Sequence, residues 1–136
     1  YTKYKDISLA VFCFKQSYLG LQSALSYHGL WEQETIPIVL TTKKVRIGIR
    51  KVQDKNIYIR KISKKYLFGY EYYQDGNFYL PYSDIEKTFI DLIIFRQKIS
   101  QEILKNIKKR INKQKLGNYL KHYPKKTKDK VMSYLK

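Results

Sequence analysis

Ile36-Pro37-Ile38-Val39-Leu40, Val45-Arg46-Ile47-Gly48-Ile49 and Ile57-Tyr58-Ile59 are the segments whose reading decides the fold. In each, branched aliphatic residues recur at every second position. Side chains along a strand point to opposite faces in turn, so this alternation marks a half-buried sheet. The outward positions carry Lys44, Arg46, Arg50, Lys51, Arg60 and Lys61, which predicts a basic face. Gln53-Asp54-Lys55-Asn56 and Asp75-Gly76-Asn77 separate strand-like runs and have the composition of turns. Residues 36–80 are therefore expected to form an antiparallel sheet of about four or five strands.

The flanks read as helices. Asp6-Ile7-Ser8 offers capping side chains ahead of Leu9–Phe14. Ser17-Tyr18-Leu19-Gly20 then breaks that helix. Leu21–His28 suits a second one, with Gly20 as N-cap and Gly29 at the C′ position, where φ > 0 is needed. Beyond the sheet, Ser83-Asp84-Ile85-Glu86 has the form of a capping box, Ser at N-cap and Glu at N3. Ile85, Phe89, Leu92 and Ile93 share one face of the helix that follows. Lys87 and Asp91, four apart, can pair on another face as an ordinary helical pair contributing about 0.2–0.5 kcal/mol. Residues 98–116 repeat Ile99, Ile103, Ile107 and Ile111 at intervals of four, with Leu104 and Leu116 widening the stripe. A last helix is expected from about Thr127, using Val131, Met132 and Leu135. The expectation is one α+β domain over residues 1–136: two N-terminal helices, an antiparallel sheet, then two or three C-terminal helices.

The chain carries 28 Lys and Arg against 11 Asp and Glu, a net charge of +17. Such an excess opposes compaction by self-repulsion and points to a polyanionic partner. It is unevenly spread. Residues 97–136 hold 13 Lys and Arg against Glu102 and Asp129, so this part carries +11. A solvated helix ordinarily mixes signs to gain pairs four apart, and this one does not. The candidate nucleic-acid-binding residues are Lys44, Arg46, Arg50 and Arg60 on the sheet. Lys105, Lys108, Lys109, Arg110 and Lys113 complete them on the C-terminal helices. DNA is the first expectation for the ligand. Lysines at phosphates bring affinity and salt dependence, not base reading.

Catalytic chemistry finds little support. The two histidines, His28 and His122, stand apart from any nucleophile motif. There is no phosphate-binding glycine loop, no Asp/Glu-x-Lys tripeptide and no ligand cluster. A non-enzyme without metal or cofactor is the expectation; a divergent nuclease would have to draw on Asp54, Glu71 or Glu86. Tyr66, Tyr70, Tyr72, Tyr73, Tyr79 and Tyr82 could stack on bases, but tyrosine also suits half-buried strands. Cys13 is the one cysteine, so no internal disulfide can form and a reducing, cytoplasmic setting is expected. The apolar runs Leu9–Phe14 and Phe89–Phe95 fall far short of the ~20 residues of a membrane span.

Four segments in order carry a family resemblance. They are Ser17–Leu30, Ile36–Thr41, Ile57–Ile62 with Tyr66-Leu67-Phe68-Gly69-Tyr70, and Ser83–Leu92. Together they resemble the AbiEi-type antitoxins of the AbiE abortive-infection toxin–antitoxin systems, which act in phage defence. The resemblance implies an antitoxin domain that neutralises a cognate nucleotidyltransferase toxin without a stable complex. It also implies a role in regulating the operon's transcription. In that family an N-terminal winged helix binds the promoter, and the part seen here corresponds to the domain after it. Gly20, Asp84-Ile85 and Thr88-Phe89 depart from the family pattern but still suit helix starts and interiors. The alternative is a stand-alone nucleic-acid-binding module with a basic surface. Glu86, Lys87 and Asp91 form the most site-like charged set, although capping and helical pairing account for them structurally.

Overall fold

The computed structural model describes residues 17–31, 36–42, 48–52, 55–75 and 78–136. Six strands and five α-helices are built from them. The strands are β1 (Ser17–Leu19), β2 (Ile38–Thr41), β3 (Gly48–Val52), β4 (Lys55–Lys61), β5 (Tyr70–Asp75) and β6 (Phe78–Ser83). Helix α1 (Gln22–Tyr27) follows β1. The other four, α2 (Ile85–Ile94), α3 (Gln101–Arg110), α4 (Lys113–Leu120) and α5 (Lys125–Tyr134), come after the sheet. A short 3₁₀ turn, Lys64–Tyr66, links β4 to β5.

The sheet corrects the expected architecture in two ways. First, it is mixed and six-stranded, in the order β3-β4-β2-β1-β6-β5. β3–β4 and β5–β6 are antiparallel hairpins, closed by the pairs Val52↔Lys55 and Asp75↔Phe78. Lys55 and Asn56 thus belong to a strand, not to a turn. β2 runs parallel to β4, Ile38 opposite Tyr58, and β1 parallel to β6, Leu19 opposite Tyr82. Alternation reveals which face a residue occupies but not which strand lies beside it. Second, Ser17–Leu19, expected as the break between two N-terminal helices, is a strand of the sheet, and one helix, Gln22–Tyr27, follows it among the described residues. Ser17, Tyr18 and Leu19 are all buried, so three residues covered on both faces show no alternation to read. Asp6–Phe14, with Cys13, lies outside the described residues.

Both faces of the central strands are buried. Tyr18, Ile38 and Leu40 meet Leu25, Phe89, Ile90 and Ile93 in the larger cluster, on the helical side. Leu19, Val39, Ile57, Ile59, Leu80 and Tyr82 form the second cluster with Ala24. α3, α4 and α5 pack mainly on α2. Ile107, Leu116, Leu120 and Val131 are their buried anchors, while Ile99, Ile103 and Ile111 are half-buried and Met132 is exposed. The isoleucine stripe does not ride on one helix. It breaks at Ile111, and Asn112 starts α4 by accepting the Lys115 N–H at 3.0 Å. Spacing by four runs unaltered from Ile99 to Ile111, the residue at which the helix ends, so the stripe itself gives no sign of the break. The last helix begins at Lys125, two residues before the expected start.

The start of α2 differs by one residue from the capping-box reading. Asp84, not Ser83, is the N-cap, its Oδ1 accepting from the Lys87 N–H at 2.8 Å. Ser83 ends β6, and its hydroxyl lies 2.6 Å from that of Thr88. Ser and Asp both cap well, and composition does not choose between neighbours. Gly69 supports this junction. Its carbonyl accepts the Asp84 N–H at 2.9 Å, its φ is +75°, and a Cβ there would lie 2.8 Å from the Cβ of Lys87. Gly69→Ala is therefore expected to destabilise the domain by about 1–3 kcal/mol, through left-handed strain added to overpacking. Urea unfolding measures this; an unchanged midpoint would show that the approach of Gly69 to Lys87 is not tight.

Candidate nucleic-acid interface

The acidic residues of α2 are withdrawn from the surface. Asp84, Glu86, Lys87 and Asp91 are all buried, Lys87 and Asp91 completely. Lys87 Nζ donates to Asp91 Oδ1 at 2.8 Å and to the Tyr123 hydroxyl at 2.7 Å. The Tyr18 hydroxyl donates to Asp91 Oδ2 at 2.7 Å. Phe68, Tyr123 and Tyr18 surround the ammonium, with ring centroids 4.8, 5.4 and 5.9 Å from Nζ. The pair that reads as an ordinary helical one is therefore a core element. Burial pushes the Lys87 ammonium down and the Asp91 carboxyl up, and each ion opposes the shift of the other.

A second group lies beside it. The Tyr119 hydroxyl donates to Asp84 Oδ2 at 2.5 Å, and Lys115 Nζ reaches the same oxygen at 3.0 Å and Glu86 Oε1 at 3.6 Å. Glu86 Oε2 accepts the Asn112 N–H at 2.8 Å, tying the start of α4 to α2. Partial burial lowers Lys115, but the hydrogen bond and charge of Asp84 outweigh it and hold the ammonium above its usual range. Burial raises Tyr119 and Tyr123, so both phenols stay protonated, Tyr119 donating to Asp84 and Tyr123 accepting from Lys87.

With these carboxylates internal, the outside of the C-terminal helices is cationic. Lys105, Lys108, Lys109 and Arg110 of α3 and Lys113 of α4 are all exposed. Lys108 Nζ lies 3.5 Å from the Lys136 carbonyl, which sets the ends of α3 and α5 side by side. Arg110 also has a structural bond, from its guanidinium to the His28 carbonyl at the end of α1. His28 in turn meets the Ser83 carbonyl at 2.9 Å, and burial holds its imidazole below the usual range. Nε2 must then carry the proton, because a carbonyl only accepts.

Of the expected sheet footprint, Arg60 is the residue whose side chain is described. Arg60 is half-buried, its guanidinium 4.5 Å from the Phe95 ring centroid and 5.6 Å from that of Tyr58. It faces the helical side, so the reading of Arg60 as outward does not hold. Arg50 lies in β3 opposite Ile57. Lys44 and Arg46, like Asp54, lie outside the described residues. Of the tyrosine cluster, Tyr82 is buried and stacks on Tyr27, Tyr70 stacks on Tyr18, and Tyr66 on Tyr123. Tyr72 and Tyr79 are exposed. Among the described residues no group of His, Cys, Asp or Glu could hold a metal ion, and no helix is long and apolar enough to cross a membrane. Lys115, Tyr119 and Tyr123 escaped the sequence reading. Their one signal is spacing: Lys115-x-x-x-Tyr119-x-x-x-Tyr123 places polar tips four apart.

No protein-family model matches the chain, and no curated protein does.

Removing one member of a buried pair leaves the other unpaired in the core. Lys87→Met is expected to cost about 3–5 kcal/mol. Lys87→Met with Asp91→Leu should cost clearly less than the single change, because no charge is stranded. Chemical denaturation of the two variants checks this; equal losses would show that the charge of Asp91 is relieved by another route.

Proposed function

We propose that the chain is a non-enzymatic, cytoplasmic antitoxin domain of the AbiEi type whose working surface is a basic nucleic-acid face. The observation that carries the basic face is the segregation of charge. Asp84, Glu86 and Asp91 are buried and paired, whereas Lys105, Lys108, Lys109, Arg110 and Lys113 on α3 and α4 are all exposed. A surface like this recognises the regular negative charge of a phosphate backbone and gains entropy from released counterions. What supports the antitoxin reading is the convergence of the segments that carry the resemblance. Tyr18 comes from the first, Phe68 and Gly69 from the third, Lys87 and Asp91 from the last, and they meet around one buried ammonium. The partners under this reading are DNA and a cognate nucleotidyltransferase toxin.

The exposed lysines permit a clean test. Changing Lys105, Lys108, Lys109 and Lys113 together to Gln keeps helix propensity and removes four charges. The slope of log affinity for duplex DNA against log salt is expected to flatten by roughly two to four units, with Tm little changed. Fluorescence anisotropy over a salt series reads the slope. Binding as strong and as salt-sensitive as that of the unaltered chain would remove the C-terminal helices from the footprint. Co-expression with a neighbouring nucleotidyltransferase-like toxin tests the antitoxin part: growth should recover only when this chain is present.

A further inference from the structure

Beyond the lysine face, a cleft of about 170 Å³ lies between the end of α2 and the start of α5. Its walls are Ile93, Ile94, Arg96, Lys126, Thr127 and Lys130. Three of the six are cations and none is a carboxylate. Arg96, Lys126 and Lys130 are exposed, and none of them forms an ion pair among the described residues. Ile93 is buried and supplies an apolar floor, which weakens solvent screening of the charges above it.

Two features turn this concentration of charge into a shaped seat. Arg96 occupies the C′ position of α2 with φ 56°. Its N–H bonds the Ile93 carbonyl at 3.1 Å, and the Gln97 N–H bonds that of Leu92 at 2.8 Å. This closure ordinarily uses glycine, which reaches positive φ without strain. Here the position carries a guanidinium that lines the cleft. On the opposite wall, α5 opens at Pro124, which has no side-chain cap to offer. Lys126 and Thr127 lie in that first turn, where backbone N–H groups have no intrahelical acceptor. Lys126 and Lys130, four apart, line the same wall.

We infer that this cleft seats a phosphodiester of the nucleic-acid backbone, held by Arg96, Lys126 and Lys130 with Thr127 beside them. A phosphate fits the set because it accepts several hydrogen bonds at once and neutralises cations that otherwise repel each other. The inference rests on the nucleic-acid reading above and extends its footprint from α3 and α4 to the α2–α5 junction.

The test uses the whole chain and a fluorescein-labelled DNA duplex. Arg96→Gly with Lys126→Gln and Lys130→Gln removes three cations, relieves the left-handed turn and keeps the helix. The salt slope is expected to fall by about two to three units with Tm held. Arg96→Gly alone should lower it by about one unit with Tm held or raised. A control, Lys61, Lys64 and Lys65 all to Gln, removes as much charge from β4 and the 3₁₀ turn and should change the slope less. Addition of the duplex should also shift the Lys126 and Thr127 amide resonances of the unaltered chain. An unaltered slope in the triple variant, alongside a lowered one in the Lys105/Lys108/Lys109/Lys113 variant, overturns the cleft and leaves the broader reading intact. A control that loses as much slope as the triple variant also overturns it. Absence of salt-sensitive binding by the unaltered chain defeats both.

Discussion

A buried ammonium–carboxylate pair holds the chain's separate parts in one arrangement. Lys87 and Asp91 lie on α2, but their remaining valences are met from elsewhere: Tyr18 on β1 and Tyr123 just before α5. Taking two charges out of water is costly, and attraction in the interior offsets that cost only when every donor and acceptor is placed. Here the placement involves a strand from the start of the described chain and a turn close to its end. The aromatic walls add cation–π attraction while excluding the solvent that would otherwise compete. Gly69 fits the same constraint, because its missing side chain lets β5 begin directly against the stem of Lys87.

The same arrangement governs the surface. Asp84 and Glu86 are bound from the far side by Lys115, Tyr119 and the backbone of Asn112. α4 is thus fastened to α2 by polar groups as well as by Leu116 and Leu120. With those acids occupied, the α3–α5 exterior retains Glu102 and Asp129 amid its lysines. Stability and electrostatic character therefore have a common origin, and a change made to one of these carboxylates would alter both.

Much of the helical half was legible in the sequence. Ile107, Leu116 and Val131 announce themselves by spacing. The exposed lysines of α3 and α4 follow from the same periodicity. What the sequence concealed has physical reasons. β1 is too short and too thoroughly buried to alternate. The parallel neighbours of β2 and β1 leave no mark on either strand's own pattern. The four-residue rhythm runs right up to Ile111, and Leu116 resumes the apolar side five positions on, so the stripe gives no warning of the break at Ile111–Asn112. Lys87 and Asp91 at a spacing of four look like any solvated helical pair, since burial depends on what packs over them. Arg96, Lys126 and Lys130 come together only through the packing of α5 against α2, which no local pattern encodes.

The placement of β1 has a consequence for how the molecule assembles. The β3–β4 and β5–β6 hairpins can each form from neighbouring residues, but they lie at opposite edges of the sheet. Only β1 and β2 bridge them, and β1 meets β6 through Leu19 and Tyr82. The bond from Tyr18 to Asp91 spans 73 positions of chain. Closing loops of that size costs entropy before any contact repays it, and this slows folding. Insertion of Ser17–Leu19 is thus expected to be a late event that turns two local hairpins into a single sheet. Until then Asp91 would lack its Tyr18 partner, so the strand that is hardest to recognise also completes the polar core.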